Sequence, residues 1–439
     1  MSNKKLRVLI NDQTVGTIEQ LKTGKLRFTY DEAWRAGKYP FPLSLSMPLT
    51  AAEHNDKAVT PFLWGLLPDN NATLNQIGKR FNVNPRNPFT LISVMGEDLQ
   101  GAVQMVPPDQ VPELRKREGV TFLSRKRLAE NFSELMRDPS AIQFTENGGQ
   151  FSLAGAQRKK TLYLSGEKWG EPRGRTPSTH ILKPNIAGMP GQVENEMFCL
   201  RLAPMLGLPA PPCRVEMIGE LPVIVVQRYD RVRYKGRKAI KINAKGGEVR
   251  RVHQEDICQA LKIHPELKYQ RDGGPNMQSI MQILSGSSNS STDRDRFMRA
   301  CAYNFVIAGT DAHAKNYGLL IAPGGRFRLA PLYDIASWLP YSKRHSDQRL
   351  AMSVGGEYRY DRIMPRHWQT EAKKCGYSSE KTIRHVLNIM FELPDKAAAL
   401  HRTIEDEGLK SEELDKLVEL LINRCKELSE TYGEKHIES

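Results

Sequence analysis

The sequence predicts an α+β fold in which a small α+β unit precedes a larger region that changes along the chain from strands to helices. Short apolar segments separated by turn residues occupy the first hundred or so residues and again the stretch from about 150 to 227, which is typical of strands. Beyond residue 250, apolar residues recur with helical periodicity. A polar connector, opened by Pro107-Pro108, separates the two parts. We therefore expect a β-rich lobe followed by a helical lobe, both behind a separate N-terminal unit.

The N-terminal unit is predicted to combine a small sheet with two helical regions. Its strands are Leu6–Ile10, Val15–Gln20, Lys25–Tyr30 and Gly101–Val106, and its helices fall near residues 61–81 and 88–95. The segment from Tyr39 to Pro48 suits neither a helix nor an inner strand, because its prolines lack N–H donors. We expect it to be an extended surface segment.

The larger region is predicted to begin with a helix near residues 121–137 and then a series of strands. The predicted strands are Gln150–Leu153, Thr161–Ser165, Thr179–Lys183, Arg214–Ile218 and Val223–Gln227. The predicted helices are Val193–Leu206, Asp293–Ala308 ended by Gly309, and Ser411–Thr431 capped by Ser411. A serine-rich stretch, Ser285–Ser291, is predicted to be a loop.

The charge of the chain points to anionic partners. The 439 residues carry a formal net charge of +14, which favours binding to nucleic acid, phosphate ligands or acidic proteins. Nine Lys and Arg residues lie between Arg231 and Arg251. Such a segment is typical either of a solvated hairpin or of a contact with a phosphate backbone.

The composition also bears on location and redox state. The apolar runs are too short to span a membrane, and the first residues lack a signal-peptide pattern, so we expect a cytoplasmic protein without a membrane partner. The six cysteines are scattered and show no zinc-ligand spacing. We expect them to be buried or half-buried thiols.

The segment Gly309-Thr-Asp-Ala-His-Ala-Lys-Asn316 carries the strongest chemical signal. Asp311 and Asn316 lie five positions apart after a predicted helix, the spacing of the protein-kinase catalytic loop H-R-D-x-x-x-x-N. The aspartate of such a pair accepts the proton of a substrate hydroxyl, and the asparagine carbonyl binds Mg²⁺ without adding a negative charge beside the phosphates. His313, two residues after the predicted base, is placed to reach the transferred phosphate.

A second carboxylate supports a kinase-like site. Asp334 follows a predicted strand and lies 18 residues after Asn316, with Gly324-Gly325 as a hairpin turn between them. Kinases place their metal-binding aspartate after the catalytic loop in a similar way. We predict that Asp334 and Asn316 bind Mg²⁺; a turn or helix-cap role is the alternative for Asp334.

The upstream strands are predicted to hold the nucleotide. Residues 148–159 form a turn of small residues, which allows backbone N–H groups to approach phosphates. Lys183 is the expected partner of the α- and β-phosphates, and Glu196, 13 residues later on a helix, is placed to pair with it. The segment Gln227-Arg-Tyr-Asp230 is predicted to be a hinge whose backbone contacts adenine and whose Asp230 reaches the ribose. An ordinary strand end is the alternative.

Together these motifs resemble the HipA family, the serine/threonine kinase toxins of type II toxin–antitoxin modules. The segments similar to family motifs are Pro42–Leu49, Phe151–Lys159, Thr176–Lys183, Gln227–Arg231, Gln254–Gln259, Asp272–Pro275, Gly309–Asn316 and Pro331–Ile335. The resemblance implies a small α+β N-terminal domain followed by a two-lobed protein-kinase-like domain. We expect the N-terminal domain at 1–110, a connector and helix at 111–140, a β-rich N-lobe at 141–228 and a helical C-lobe at 229–439.

The resemblance also implies roles for individual residues. Asp311 would be the catalytic base, Asn316 and Asp334 would bind Mg²⁺, and Lys183 would contact the phosphates of ATP. Ser152 matches the serine that family members autophosphorylate, which switches them off. The other residues expected to contact the nucleotide are Ala154, Gly155, Ala156, Gln157, Arg158, Lys159, Glu196, Gln227, Arg228, Tyr229, Asp230, His313, Lys315 and Tyr333.

The partners implied by the resemblance are a protein substrate, an antitoxin and DNA. The substrate would be an aminoacyl-tRNA synthetase, notably the glutamyl enzyme, whose phosphorylation halts translation and induces dormancy and drug tolerance. A dimeric, HipB-like helix-turn-helix antitoxin would bind the chain and tie it to operator DNA.

Two other functions stay open at this level. A small-molecule phosphotransferase of the kinase fold would use the same catalytic residues on a different acceptor. A DNA-associated co-repressor with an inactive kinase fold would account for the charge of +14, although the base and metal residues are all in place.

Overall fold

The computed structural model describes residues 4–137, 155, 157–234, 248–341 and 348–433. The chain forms two compact units. The first comprises Met1–Pro184, Glu216–Glu266 and Leu319–Phe327, and the second comprises Asn185–Val215, Leu267–Gly318 and Arg328–Ser439. The predicted strand Gln150–Leu153 lies outside the described residues, and the domain boundaries at 110, 140 and 228 stay predictions.

The N-terminal part folds as a sheet with helices, as predicted, and the sheet has a fifth strand, β4, beyond the four predicted. The strands are β1 Lys4–Ile10, β2 Gln13–Gln20, β3 Leu26–Tyr30, β4 Glu53–His54 and β5 Val103–Val106, in the order β4-β3-β2-β1-β5 with antiparallel neighbours. The helices are α1 Glu32–Arg35, α2 Asp56–Gly65, α3 Asn71–Phe81, α4 Pro88–Met95 and α5 Val111–Lys116. The single helix predicted at 61–81 is wrong, because the Asn70 side chain accepts hydrogen bonds from the N–H groups of Ala72 and Thr73 and so starts a separate helix.

The middle of the proline-rich segment is buried, which corrects the prediction, whereas Tyr39 and Pro48 at its ends are exposed. Leu43 and Met47 are fully buried in the N-terminal core, and the hydroxyls of Ser44 and Ser46 hydrogen-bond to each other. The segment forms no helix or strand, as expected from its prolines. It is nevertheless buried in part, because the apolar side chains between the prolines pack into the core.

The next part of the chain builds a six-stranded sheet. Its elements are β6 Val120–Phe122, α6 Arg125–Arg137, β7 Lys160–Ser165, β8 Lys168–Pro172, β9 His180–Pro184, α7 Gln192–Met205, β10 Cys213–Ile218 and β11 Leu221–Gln227. The sheet order is β10-β11-β9-β7-β8-β6. Helix α6 starts later than the predicted residue 121, because Val120–Phe122 pairs with β8. A core of nine buried side chains includes Phe132, Trp169 and Leu182.

A short hairpin, one further strand and a helix follow. They are β12 Arg231–Tyr234, β13 Glu248–Arg251, β14 Gln254–Asp256 and α8 Ile257–Leu261. Strands β12 and β13 pair antiparallel.

The helical part contains most of the second unit. Its elements are α9 Met277–Leu284, α10 Ser290–Val306, β15 Gly318–Ile321, β16 Phe327–Leu329, β17 Arg349–Val354, β18 Glu357–Arg359, α11 Pro365–Lys374, α12 Ser379–Asp406 and α13 Glu412–Gly433. The predicted apolar face of the last helix is confirmed, since Leu414, Leu417, Leu421, Cys425 and Leu428 are all buried. None of the helices in the described ranges is long and apolar enough to cross a membrane.

Helix α10 starts and ends earlier than predicted. It begins at Ser290, inside the predicted serine-rich loop, and ends at Val306. The residue that adopts the left-handed conformation after it is Ala308, with φ 52°, rather than Gly309. Gly309 is needed for a close approach instead, because a Cβ there would lie 2.5 Å from Asn304 Oδ1.

The thiol prediction is confirmed. Five of the six cysteines are buried, Cys213 is half-buried, and all six are free thiols. Burial raises the pKa of Cys199 and of Cys425 to about 12, so these thiols stay protonated and unreactive near neutral pH.

Candidate active site

The loop after α10 closes on itself and presents one carboxylate to solvent. Asn316 Nδ2 donates to the backbone oxygen of Asp311 at 2.8 Å, and the His313 N–H donates to the same oxygen at 2.8 Å. The side chain of Asp311 is 69% exposed. The loop therefore uses the N–H side of the Asn316 amide for its own structure, so the carbonyl oxygen of that amide is the atom with which the predicted metal contact would be made.

A tyrosine hydroxyl contacts the predicted base. Tyr269 Oη donates to Asp311 Oδ1 at 2.5 Å, and the Tyr269 ring packs edge-on against His313, with ring centroids 5.0 Å apart. His313 is buried, and its Nε2 lies 4.0 Å from Asp311 Oδ1. Sequence reasoning did not single out Tyr269; the only signal was its position three residues before the Asp272–Pro275 motif.

The predicted metal-binding aspartate follows a short β-hairpin, as expected. Strands β15 and β16 are neighbours in a three-stranded sheet with β14. The buried carboxylate of Asp293, on α10, accepts from the Leu329 N–H at 3.1 Å and from Arg328 Nε at 3.0 Å. Helix α10 thus holds both the strand that leads to Asp334 and the loop that carries Asp311.

Asp334 is exposed, and its backbone has φ 53°, a conformation that aspartate and asparagine tolerate better than most residues. Its neighbour Tyr333 donates through Oη to the backbone oxygen of Lys315 at 2.7 Å, which links the Asp334 segment to the loop that holds Asn316. Lys315 itself is buried.

The residues present fit a divalent cation. The Asn316 amide oxygen and the Asp334 carboxylate are oxygen ligands of the kind that Mg²⁺ prefers, and Mg²⁺ usually completes its shell with water and substrate phosphates. The Tyr333–Lys315 hydrogen bond fastens together the two segments that carry them.

Lys183 and Glu196 lie in different units. Lys183 is buried on β9, opposite Ile224 of β11, and its neighbour Leu182 belongs to the apolar core, so strand alternation directs Lys183 to the other face of the sheet. Glu196 is buried on α7, where Gln192 Nε2 donates to its Oε2 at 3.3 Å. Their pairing stays a prediction.

Part of the predicted phosphate loop lies outside the described residues, including Ser152, Ala154 and Ala156. Gly155 has φ 106°, a backbone conformation that residues with a Cβ rarely adopt, so this position favours glycine. The Gln157 amide donates to the backbone oxygen of Pro184 at 3.2 Å. Arg158 donates to the backbone oxygen of Met136, in the last turn of α6, at 2.6 Å. Arg158 therefore supports a helix end, and its contact with a nucleotide stays a prediction.

The predicted hinge divides into accessible and buried residues. Gln227 is exposed and Tyr229 is half-buried, with its hydroxyl bonded to Gln254 Oε1. Arg228 and Asp230 are buried and joined by two hydrogen bonds of 2.9 and 2.8 Å.

These two residues belong to a larger buried charge network. Its members are Asp98, Arg228, Asp230, Arg231 and Arg251, each 6% exposed or less. Arg231 and Arg251 each donate to Asp98 Oδ1, at 3.0 and 3.1 Å, and the Gly101 N–H donates to Asp230 Oδ2 at 2.8 Å. The prediction that Asp230 reaches a ribose is corrected, because its two oxygens are both engaged inside this network.

The electrostatics of the network favour ionised carboxylates. Burial alone would raise the pKa of Asp98, but the charges of Arg231, Arg251 and Arg228 outweigh burial and lower it to about 2. The pKa of Asp230 likewise lies well below its usual value despite burial, because of Arg228 and Arg231. Burial lowers the pKa of Arg231 to about 10, which still leaves it charged at neutral pH.

The network also changes the interpretation of the basic segment 231–251. Its first and last arginines, Arg231 and Arg251, are buried partners of Asp98 and are not offered to a phosphate backbone. Residues 235–247 of the segment lie outside the described residues.

Comparisons with known proteins identify the family of the chain. A model of the HipA N-terminal domain matches residues 6–106, and a model of the HipA-like C-terminal domain matches residues 151–398. A putative kinase of Sinorhizobium fredii is 34% identical over 411 residues, which cover 92% of this chain and 93% of that protein. The serine/threonine-protein kinase toxin HipA of Shewanella oneidensis is 28% identical over 344 residues, 75% of this chain and 73% of that one.

A solved structure agrees over nearly the whole chain. HipA of Shewanella oneidensis, in a complex with HipB and operator DNA, superposes with a TM-score of 0.82 at 24% identity and covers 98% of each chain. The predicted fold, a small α+β N-terminal domain followed by a kinase-like domain, is confirmed. The chain belongs to the HipA family.

Proposed function

We propose that this chain is an ATP-dependent serine/threonine protein kinase that acts as a growth-arrest toxin. The observation that carries the proposal is the exposed carboxylate of Asp311 in a loop closed by Asn316, fastened through Lys315 and Tyr333 to the segment of Asp334. This is the donor set that phosphoryl transfer to a hydroxyl requires.

Each residue has a distinct part in the reaction. When bound, Mg·ATP supplies the phosphoryl group together with the cation that neutralises charge on its phosphates. Asn316 Oδ1 and the Asp334 carboxylate hold the cation. Asp311 accepts the proton of the acceptor hydroxyl, and Lys183 contacts the phosphates. The backbone of Gln227–Tyr229 holds the adenine.

Two finer proposals concern regulation and targets. Ser152 is the site of autophosphorylation, which would place about −1.5 to −2 charges in the loop that cradles phosphates and so repel ATP. The target is a protein of translation, such as glutamyl-tRNA synthetase. Support for these points comes only from family membership and from the Phe151–Lys159 motif.

An antitoxin and DNA complete the proposal. The structurally similar HipA is titled as a complex with HipB and operator DNA, and the charge of +14 suits proximity to nucleic acid. We propose a HipB-like helix-turn-helix dimer as the partner that neutralises this chain.

Intact mass spectrometry after incubation with Mg·ATP tests the proposal. We expect one added phosphate on the wild-type chain, none when EDTA removes the metal, and none on Ser152→Ala. A lysate incubated with γ-labelled ATP and the Ser152→Ala variant should still show a labelled protein. Labelling confined to small molecules would contradict a protein kinase, and no transfer of any kind would favour a co-repressor.

A further inference from the structure

The contact between Tyr269 and the predicted base suggests a role that the activity itself does not assign. We propose that Tyr269 is a positioning residue, which fixes the rotation of the Asp311 carboxylate so that Oδ2 is presented to the acceptor hydroxyl. This inference rests on the proposed kinase function.

The bond selects one of two equivalent oxygens. Asp311 is 69% exposed, so without a partner its carboxylate would rotate among several orientations in water. Tyr269 Oη donates to Oδ1 at 2.5 Å, a short bond of the kind that charged acceptors form with hydroxyls. With Oδ1 engaged, Oδ2 becomes the oxygen that accepts the proton of a substrate hydroxyl.

Two opposite roles fit a hydroxyl on a catalytic base. Tyr269 either orients the carboxylate throughout the reaction, or occupies it in place of the substrate and must move away. The two roles require different things of the surrounding backbone. A gate needs a segment that swings freely, whereas a positioning residue needs a segment held on both sides.

The segment around Tyr269 is held on both sides. On one side, the Ala314 N–H donates to the backbone oxygen of Lys268 at 3.3 Å. On the other, Gln270 forms two bonds with Ser353: its Nε2 donates to Oγ at 3.0 Å, and its Oε1 accepts from the Ser353 N–H at 2.9 Å.

Tyr269 is also fixed through its own backbone and ring. Its carbonyl oxygen accepts from the N–H groups of Asp272 and Gly274, both at 3.0 Å. A Cβ on Gly274 would lie 1.9 Å from the backbone oxygen of Leu267, so the turn that follows admits only glycine there. The ring meets His313 edge-on. This packing favours a fixed positioning residue over a moving gate.

The test is Tyr269→Phe, which removes the hydroxyl and keeps the ring. We expect kcat for protein phosphorylation to fall by up to about 10²-fold, the size of effect that misplacement of a catalytic group produces. The KM for ATP should stay within about twofold, because Tyr269→Phe removes only the hydroxyl bonded to Asp311 and keeps the ring that packs against His313. Tyr39→Phe, an exposed tyrosine at 63%, is the matched control and should keep wild-type kinetics.

A double-mutant cycle separates positioning from a general structural effect. If Tyr269 acts only through Asp311, adding Tyr269→Phe to Asp311→Asn should cause no further loss of rate. A structural role would instead lower the residual rate of Asp311→Asn and the thermal midpoint as well. Ser353→Ala, which loosens the segment without touching either partner, should lower kcat more weakly.

Three results would overturn the inference. An unchanged kcat in Tyr269→Phe would show that the carboxylate needs no such partner. A raised kcat or raised ATP hydrolysis would make Tyr269 a competitor of the substrate. Additive losses in the cycle would make its role structural. An inactive wild-type chain would instead contradict the proposed kinase function, so the two failures are distinguishable.

Discussion

The buried charge network and the catalytic loop use the same residue types in opposite ways. In the network, Asp98 and Asp230 are 1–2% exposed, and each accepts several hydrogen bonds. Arg228 donates to Asp230, and Arg231 and Arg251 donate to Asp98. In the loop, Asp311 is 69% exposed and receives the Tyr269 hydroxyl. A carboxylate whose bonds are all made inside the protein stabilises the fold, whereas one held at a single oxygen in solvent is available for chemistry.

The network also joins the two parts that the family models separate. Asp98 lies within the matched N-terminal domain, residues 6–106, whereas its arginine partners lie within the matched C-terminal domain, residues 151–398. All of them belong to the first compact unit. A carboxylate of the N-terminal domain therefore completes the charge balance beside the predicted hinge.

The largest effect on stability is expected from Asp98→Ala. The change leaves three buried arginines with one carboxylate, and breaking a buried charge pair in this way costs about 3–5 kcal/mol. Urea denaturation of the full chain measures it. Asp109→Ala, at an exposed aspartate of the same region, should change stability by less than about 0.5 kcal/mol. Equal free energies of unfolding for Asp98→Ala and Asp109→Ala would contradict a stabilising role for the buried charge network.

An effect that depends on pH is expected at Glu255, a buried acid whose pKa no arginine lowers. Burial raises its pKa to about 8, against the lowering effect of bonds from Ser44 and the Leu45 N–H. The folded chain therefore keeps the proton that the unfolded chain releases above pH 4.5. The contribution of Glu255 to the free energy of unfolding should be complete below pH 4.5. It should fall by about 1.4 kcal/mol per pH unit as the pH rises towards 8.

Glu255→Gln tests that prediction, because the amide stays neutral at every pH. Its free energy of unfolding should lack the decline between pH 6.5 and 8, whereas the exposed control Glu220→Gln should keep it. Burial lowers the pKa of His253 to about 4, so His253 makes the free energy of unfolding rise with pH between 4 and 6.5. This contribution opposes that of Glu255 and is the same in all variants. A wild-type profile that is flat between pH 6.5 and 8 would contradict the prediction for Glu255.

The sequence predicted the elements whose signal is local. The apolar face of α13 and four of the strands of the N-terminal sheet depend on near neighbours along the chain, and the structure agrees with them. The roles of Asp311, Asn316 and Asp334 stay predictions. The break between α2 and α3 is also local, but a helix cap such as Asn70 is easily overlooked within a longer periodic run.

What the sequence did not predict depends on distant contacts. Asp230 looked like a ribose ligand because the Gly101 N–H, one of the donors that engage it, lies 129 positions earlier. Tyr269 has no motif of its own, and its importance follows only from its contact with a residue 42 positions later. The burial of the segment around Leu43 and Met47 likewise depends on the core it enters rather than on its own prolines.

The most direct test of the proposed mechanism is the rate at which Asp311→Asn transfers phosphate from γ-labelled ATP to protein, measured beside the wild-type chain and Asp395→Asn, an exposed aspartate of the same unit. We expect Asp311→Asn to lose about 10²- to 10⁴-fold in rate, the contribution of a general base. Its thermal midpoint should match that of the wild type, because the exposed side chain adds little to stability, and Asp395→Asn should keep full activity. Wild-type turnover by Asp311→Asn would contradict the role of Asp311 as the catalytic base.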